Sequence, residues 1–347
     1  MEPMFWFVEN YVKYFGPIFV SFLISMMGCV IVIAYLVIVP YEFIRSTWTK
    51  IIVFFLLGHY LLFNTLFHYT MAWTTKPGFP PAGHLFEAVG ICKHCIAPKP
   101  PRTHHCRVCG RCVLKMDHHC PWLNQCVGHY NHRYFFMTMF YMWVGCIYIL
   151  VGIWPCFLEH FFNETDPVAP WCGTMSPLLF YAWIICQGSL PSRSQLGRNI
   201  TKNEPSSHEG AVIAEEESAV GTERFRVSVG LAAHNCVLFE FFVAAAMVVG
   251  VGALMVWHVR LISTGETSIE QHINRETRNK WKKEMRVFRN PYDFGCVENW
   301  KILLGIERGS GRTFLRHVLF PSKHKPHGDG LKWRTFTYSS HSDTLPL

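Results

Sequence analysis

Four stretches of this chain run without a charged residue for long enough to cross a bilayer: residues 14–41, 51–75, 134–158 and 241–259. A helical span needs about 20 apolar residues. Lys13 and Glu42 bracket the first run, and the second stops at Lys76-Pro77-Gly78. The third is interrupted only by glycines and Pro155, which membrane helices tolerate. The fourth closes at Arg260, and its Gly250, Gly252 and Ala253 suit close helix packing. The pattern predicts four membrane helices. Residues 178–190 are apolar too, but fall short of a span before Pro191 and read as a core or interfacial segment. Residues 199–223, rich in Ser, Glu, Gly and Ala, read as flexible and polar. No internal repeat stands out beyond cysteine pairs spaced Cys-x-x-Cys, and the N-terminus has no basic region ahead of a cleavage site.

Composition agrees. Of 347 residues, 50% are hydrophobic and only 16% charged, which argues against a string of soluble domains. The net charge of +8 suits an anionic lipid surface; nucleic acid is a poorer partner, because apolar runs leave little surface for it. Charge also orients the spans. Residues 74–133 carry eight Lys and Arg and residues 259–347 carry sixteen, whereas residues 159–237 carry five against nine acids. The positive-inside bias therefore predicts residues 77–133 and both termini in the cytosol, and a lumenal loop at 159–237 that holds the sequons Asn163-Glu164-Thr165 and Asn199-Ile200-Thr201. The expected order is residues 1–76 (N-terminus and two spans), 77–133 (a cysteine-rich domain), 134–158 (third span), 159–237 (loop), 238–262 (fourth span) and 263–347 (tail).

Between the second and third runs, residues 91–136 hold seven of the fourteen cysteines and many histidines. Cys92-x2-Cys95 and Cys106-x2-Cys109-x2-Cys112 are thiolate knuckles of the kind that bind tetrahedral zinc. A cytosolic setting disfavours disulfides. The prolines and scarce aliphatics here cannot build a core, which is common in modules that fold around metal. Which histidines complete the sites stays open on spacing alone. Two sites of three cysteines and one histidine use Cys92, Cys95, Cys106, Cys109, Cys112 and Cys126, and leave Cys120 over. Cys120 follows Asp117-His118-His119. It is either a nucleophile, with imidazole and carboxylate support, or a further metal ligand or inert thiol.

These residues resemble the DHHC cysteine-rich domain of protein S-acyltransferases (palmitoyltransferases). The likeness rests on Pro100-Pro101-Arg102-Thr103-His104-His105-Cys106, Asp117-His118-His119-Cys120-Pro121-Trp122, and Asn124-Gln125-Cys126-Val127-Gly128 with Asn131 and Phe135. In the tail, Thr267-Ser268-Ile269-Glu270 is similar to the family's TTxE motif with Ser for the second Thr. Asn290-Pro291-Tyr292-Asp293-Phe294-Gly295, ending at Asn299, is similar to its C-terminal motif. Residues 265–270 and the tail resemble an endoplasmic reticulum branch of the family.

The resemblance implies an α-helical integral membrane protein of four transmembrane helices, with a cytosolic two-zinc domain between the second and third. One zinc would take Cys92, Cys95, His105 and Cys112, the other Cys106, Cys109, His119 and Cys126. Cys120 would be the nucleophile, His118 its acid–base partner and Asp117 the orienting carboxylate, held by Ser268. The implied activity is transfer of a long-chain acyl group, palmitoyl above all, from acyl-CoA through a Cys120 acyl-enzyme to cysteines of membrane-associated proteins, in an endoplasmic reticulum or Golgi membrane. Arg102, Arg107, Arg111, Lys115 and Arg133 are candidates for the CoA phosphates. Trp122 reads as a packing or interfacial residue, and Gly145 as a place where the acyl groove lengthens. The rival readings are a membrane-anchored zinc adaptor or RING-like ligase, and an inactive scaffold. The first leaves no spare cysteine beside Asp-His and does not need the tail motifs.

Overall fold

The computed structural model describes residues 2–81, 89–162 and 209–336. Among them four helices are long and apolar enough to cross a membrane: Tyr14–Phe43, Trp48–Thr74, His132–Leu158 and His234–Ser263. The protein is thus an α-helical multi-pass membrane protein. The first span joins α1 (Glu2–Ile33) to α2 (Val39–Arg45) through a π-helical stretch, Ala34–Ile38. The others lie in α3 (Trp48–Thr74), α4 (His132–Phe162) and α5 (Glu209–Ser263). Large apolar side chains such as Ile18, Phe22, Leu56, Val249 and Val256 stay exposed along them. Hydrocarbon gives such side chains no reason to bury.

Two expectations change. Residues 209–223 are the start of α5 and not a flexible segment. Their Ala and Glu residues are polar enough on average to resemble a linker, yet rank among the best helix formers. Of Gly250 and Gly252 in α5, only Gly252 makes the close approach expected of both. A Cβ there would come within 2.8 Å of Trp143 Nε1, which donates to the Val248 carbonyl, whereas Gly250 faces open space. Residues 178–190 and both sequon asparagines lie outside the described residues.

The chain divides into two compact units. One, built from Met27–Leu56 and Cys146–Ala246, is a helical core around Ile33, Val37, Tyr41, Ile153, Phe157 and Val237. Phe157 stacks on Phe241 with ring centres 3.8 Å apart, and Tyr148 donates to the Phe54 carbonyl at 2.7 Å.

The other unit, Met1–Met26, Leu57–Gly145 and Met247–Leu347, carries the chemistry. Between α3 and α4 it holds three antiparallel hairpins: β1 (Gly90–Cys92) with β2 (Ala97–Lys99), β3 (His104–Cys106) with β4 (Arg111–Val113), and β5 (His118–Cys120) with β6 (Gln125–Val127). They follow one plan at fixed spacing. Cys92, Cys106 and Cys120 each end a first strand. Four residues later Ile96, Gly110 and Asn124 take left-handed backbone, and the next residue pairs back across to the cysteine. That left-handed residue closes each four-residue loop. A repeat is therefore present after all; it lies in the backbone, where the differing side chains hide it.

The tail folds back on this unit through α6 (Ser268–Lys283) and α7 (Cys296–Leu304). Thr267 and Glu270 form a reciprocal capping box at the head of α6. The Arg102 guanidinium grips Glu270 with two bonds of 2.6 Å and stacks over Tyr292 and Trp333. Asn290 donates to the Thr264 carbonyl at 2.8 Å and Asn299 to that of Ser263 at 2.9 Å. Both C-terminal-motif asparagines thereby occupy carbonyls left open where α5 ends.

Candidate active site and metal clusters

Strand geometry sorts the site. Successive side chains on a strand point to opposite faces. On β3, His105 faces one way and His104 and Cys106 the other; on β5, His119 faces one way and His118 and Cys120 the other. The hairpins interlock accordingly. Cys92 and Cys95 of the first hairpin meet His105 and Cys112 of the second, which are paired across the β3–β4 ladder. Cys106 and Cys109 of the second meet His119 and Cys126 of the third, paired across β5–β6. These are the two quartets that the resemblance implied. The first hairpin lends only its knuckle, the second lends its knuckle to one cluster and its cross-strand His–Cys pair to the one before, and the third lends only its His–Cys pair. Among the described residues, the third knuckle has no fourth hairpin to close on. That is why Cys120 is left over, and the place of its would-be partner is held by Leu123.

The donor sets fit zinc. Tetrahedral bonds of about 2.3 Å to sulfur and 2.0 Å to nitrogen give edges of about 3.8 Å between sulfurs and 3.6 Å from sulfur to nitrogen. Here Cys95 and Cys112 are 3.8 Å apart and Cys109 and Cys126 3.5 Å. The His119 Nδ1 lies 3.8, 3.3 and 3.7 Å from the sulfurs of Cys106, Cys109 and Cys126. Burial and the Cys92 and Cys95 sulfurs push the Cys112 thiol up to about 12. Cys106 and Cys109, then burial, push Cys126 up as well. Such crowded buried sulfur calls for a cation.

On the opposite face of β5 lies the candidate chemistry. Cys120 is buried on the face of β5 that also bears His118, and its thiol helps push that imidazole's pKa up. The His118 Nδ1 bonds the Asp117 Oδ2 at 2.6 Å. The Asp117 side chain is fully buried, while that of His118 keeps 32% exposure, enough to meet a ligand. Asp117 is held from the head of α6: the Ser268 N–H donates to Oδ1 at 2.7 Å and the Ser268 hydroxyl lies 3.2 Å from both oxygens. The serine thus makes the contact expected of threonine, with backbone help. Burial opposes a charge on His118, yet Asp117 and then Cys120 outweigh it and push the imidazole up to about 9. Burial likewise opposes ionisation of Asp117, but the bond to His118 and the nearby histidines hold its carboxyl well below the usual range.

The third hairpin is wedged between helix ends. Gln125, opposite Cys120 in the ladder, donates to the Ala72 and Trp73 carbonyls at 2.6 Å and so caps α3. Trp122 packs edge-on against Phe19 of α1, in the packing role expected of it. Asn124 fills the space beside Gly16, leaving no room there for a Cβ. Asn131 ties the Cys126 carbonyl and Gly128 N–H to the start of α4.

The structure withdraws two of the five CoA candidates. Arg102 is committed to Glu270, and Arg133 donates to the Ser322 and His324 carbonyls at 2.8 and 3.2 Å. Lys115 lies over Trp333, and burial with Arg102 nearby lowers it to about 8; Arg107 and Arg111 are exposed.

One residue at the site was missed. His258 of α5 is 2% exposed, and its ring nitrogen comes within 4.8 Å of donor atoms on both Asp117 and His118. A histidine interrupting the polar-free end of the fourth apolar run was a usable signal, because ionisable residues inside spans are rarely idle.

The family described as DHHC palmitoyltransferase matches residues 86–275. Palmitoyltransferase ZDHHC16 of Homo sapiens is 40% identical over 96% of this chain and 78% of its own length. Palmitoyltransferase ZDHHC16A of Danio rerio is 36% identical over 100% of this chain and 85% of its own. Probable protein S-acyltransferase 16 of Arabidopsis thaliana is 30% identical over 70% of this chain and 61% of its own.

Proposed function

This chain belongs to the DHHC palmitoyltransferase family and is a protein S-acyltransferase; we propose that it transfers a long-chain acyl group, palmitoyl foremost, from acyl-CoA through a thioester on Cys120. The observation that carries this reading is the His118–Asp117–Ser268 hydrogen-bond chain on the face of β5 that also bears Cys120, with the metal-type donors on the other.

In the first half, His118 takes the Cys120 proton on Nε2, since Nδ1 is bonded to Asp117. The thiolate attacks the thioester carbonyl. The carbon–sulfur bond to CoA breaks, and the proton passes from His118 to the departing CoA thiolate. In the second half a protein cysteine thiol gives its proton to His118 and attacks the acyl-enzyme. Cys120 leaves as thiolate and recovers a proton. Thioester replaces thioester twice, so no external energy source is needed. Asp117 keeps the imidazole in one tautomer and supports its charge. Zinc, when bound, supplies structural closure of the hairpins; Cys92, Cys95, His105 and Cys112 would hold one ion, and Cys106, Cys109, His119 and Cys126 the other.

A membrane setting suits an acyl chain, which gains about 0.8 kcal/mol per buried CH₂. We place the lengthening of the acyl groove at Gly145, where a Cβ would meet nothing within 4 Å and a larger side chain can be introduced to test it. Exposed Arg111, and Lys115, are the basic candidates we retain for the CoA phosphates. The acceptors are cysteines of membrane-associated proteins, the hairpins face the cytosol, and the membrane is that of the endoplasmic reticulum or Golgi. The test is incubation of the purified protein with labelled palmitoyl-CoA. The reading expects a hydroxylamine-labile label that Cys120→Ser abolishes at unchanged zinc content. A label that survives that substitution would sink it.

A further inference from the structure

His258 is unexplained by the chemistry above. It sits in the last turns of α5, inside an apolar span and 98% shielded, and its Nδ1 has no hydrogen-bond partner. An unpaired buried ring nitrogen carries a desolvation penalty and survives where something else needs it. Its surroundings are specific. The His258 ring centre is 5.9 Å from that of His118 and 5.2 Å from that of Phe135, and Phe135 in turn meets His118 edge-on at 5.1 Å. The three rings enclose one another. Donor atoms of Asp117, His118 and His258 all lie within 4.8 Å.

Asp117 has a vacancy to offer. An ionised carboxylate accepts about four hydrogen bonds. Its described donors are three: the Ser268 N–H, the Ser268 hydroxyl and the His118 Nδ1–H. Ser268 and His118 reach Asp117 from α6 and β5; α5 brings only His258 to it.

We propose that His258 is a positioning residue for acyl transfer: its imidazole closes the α5 side of the Asp117–His118 pair and presents an N–H to the buried carboxylate, so that the His118 ring keeps its Nε2 on Cys120. His258 takes no proton from the reacting atoms. In both half-reactions the proton goes from a thiol to His118 and back to a thiolate, so the balance needs no relay beyond His118. The role is to fix an orientation that a half-exposed ring, held by Asp117 along one edge, would otherwise lose when ligands exchange.

The inference rests on the acyl-enzyme reading, and the experiment separates them. Single-turnover labelling of the full-length protein in lipid with palmitoyl-CoA is compared across wild type, Cys120→Ser, His258→Gln and the apolar His258→Leu and His258→Met. If wild type and Cys120→Ser label alike, the acyl-enzyme reading fails. If that reading holds, His258→Leu and His258→Met should slow acylation at saturating palmitoyl-CoA about tenfold or more, with KM and zinc content unchanged. His258→Gln, which keeps an N–H, should recover to within about threefold. Equal rates for the glutamine and apolar variants, or a loss confined to KM, overturns the proposal. Loss of zinc in both apolar variants also overturns it, because the residue would then serve the fold.

Discussion

The second and third hairpins differ by little in sequence and entirely in what they offer. His104-His105-Cys106 and His118-His119-Cys120 occupy the same ladder positions, paired back to Arg111-Cys112-Val113 and Gln125-Cys126-Val127. In both, the second histidine and the returning cysteine point to the preceding knuckle. The second hairpin then presents Cys106 beside Cys109, a metal half-site that the third hairpin completes. The third presents Cys120 beside Leu123, and nothing follows to complete it. Where Thr103 precedes the second hairpin, Asp117 precedes the third, and the tail reaches in through Ser268 to hold it. In the proposed reading, a nucleophile arises here as a knuckle cysteine deprived of its metal partners and given a carboxylate-backed imidazole.

The sharpest test substitutes the matched cysteines. Cys106→Ser should lose at least one zinc per chain, with a large fall in thermal stability; Cys120→Ser should keep both ions and lose the acyl label completely. Equal metal loss in both variants would erase the distinction. A chelator strong enough to strip both ions should abolish labelling even though Cys120 lies in neither quartet, because His119, a donor of the second, sits on the same strand. Retained labelling at zero zinc would break the link between the two faces of β5.

Smaller effects probe what surrounds the hairpins. Asp117→Asn should slow single-turnover acylation about a hundredfold or more, by analogy with loss of the orienting carboxylate in other triads, while Thr103→Ala at the matching position leaves the rate unchanged. Arg102→Ala should destabilise the protein by about 3 kcal/mol, because it strands Glu270 in a buried site. Burial opposes the Glu270 charge, but Arg102 outweighs it and holds the carboxyl below its usual value. A depressed carboxylate contributes stability above its unfolded pKa, and that contribution disappears as pH falls through the folded one. Acid titration of melting temperature should therefore show a steeper loss in wild type than in Arg102→Ala. Ser268→Ala should cost only about tenfold, since the Ser268 backbone N–H still holds Asp117, and Ser268→Thr should be close to wild type.

The spans were legible because a bilayer demands long uncharged runs, and the observed helices overlap all four. The quartets were not legible from spacing alone: seven histidines compete, and only the resemblance chose His105 and His119. Strand alternation would have chosen them too, had the hairpins been visible, but their signature is a left-handed residue carried by Ile96, Gly110 and Asn124 in turn. Arg102 looked like a free cation because Glu270, its partner, lies 168 positions away. His258 was hidden by the apolar run around it, and the helix at 209–223 by polarity that helix propensity overrides.

The interlocking of the hairpins bears on how the chain is made. Each donor set spans a short length of chain, Cys92 to Cys112 and then Cys106 to Cys126, so loop closure costs little for either. Both clasps can fasten while the ribosome is still extending α4, but the tail that grips Asp117 emerges only after α5 has been inserted. On the proposed reading, a nascent chain would be metal-loaded before it is reactive, with its thiol armed last, once the tail that holds Asp117 has emerged.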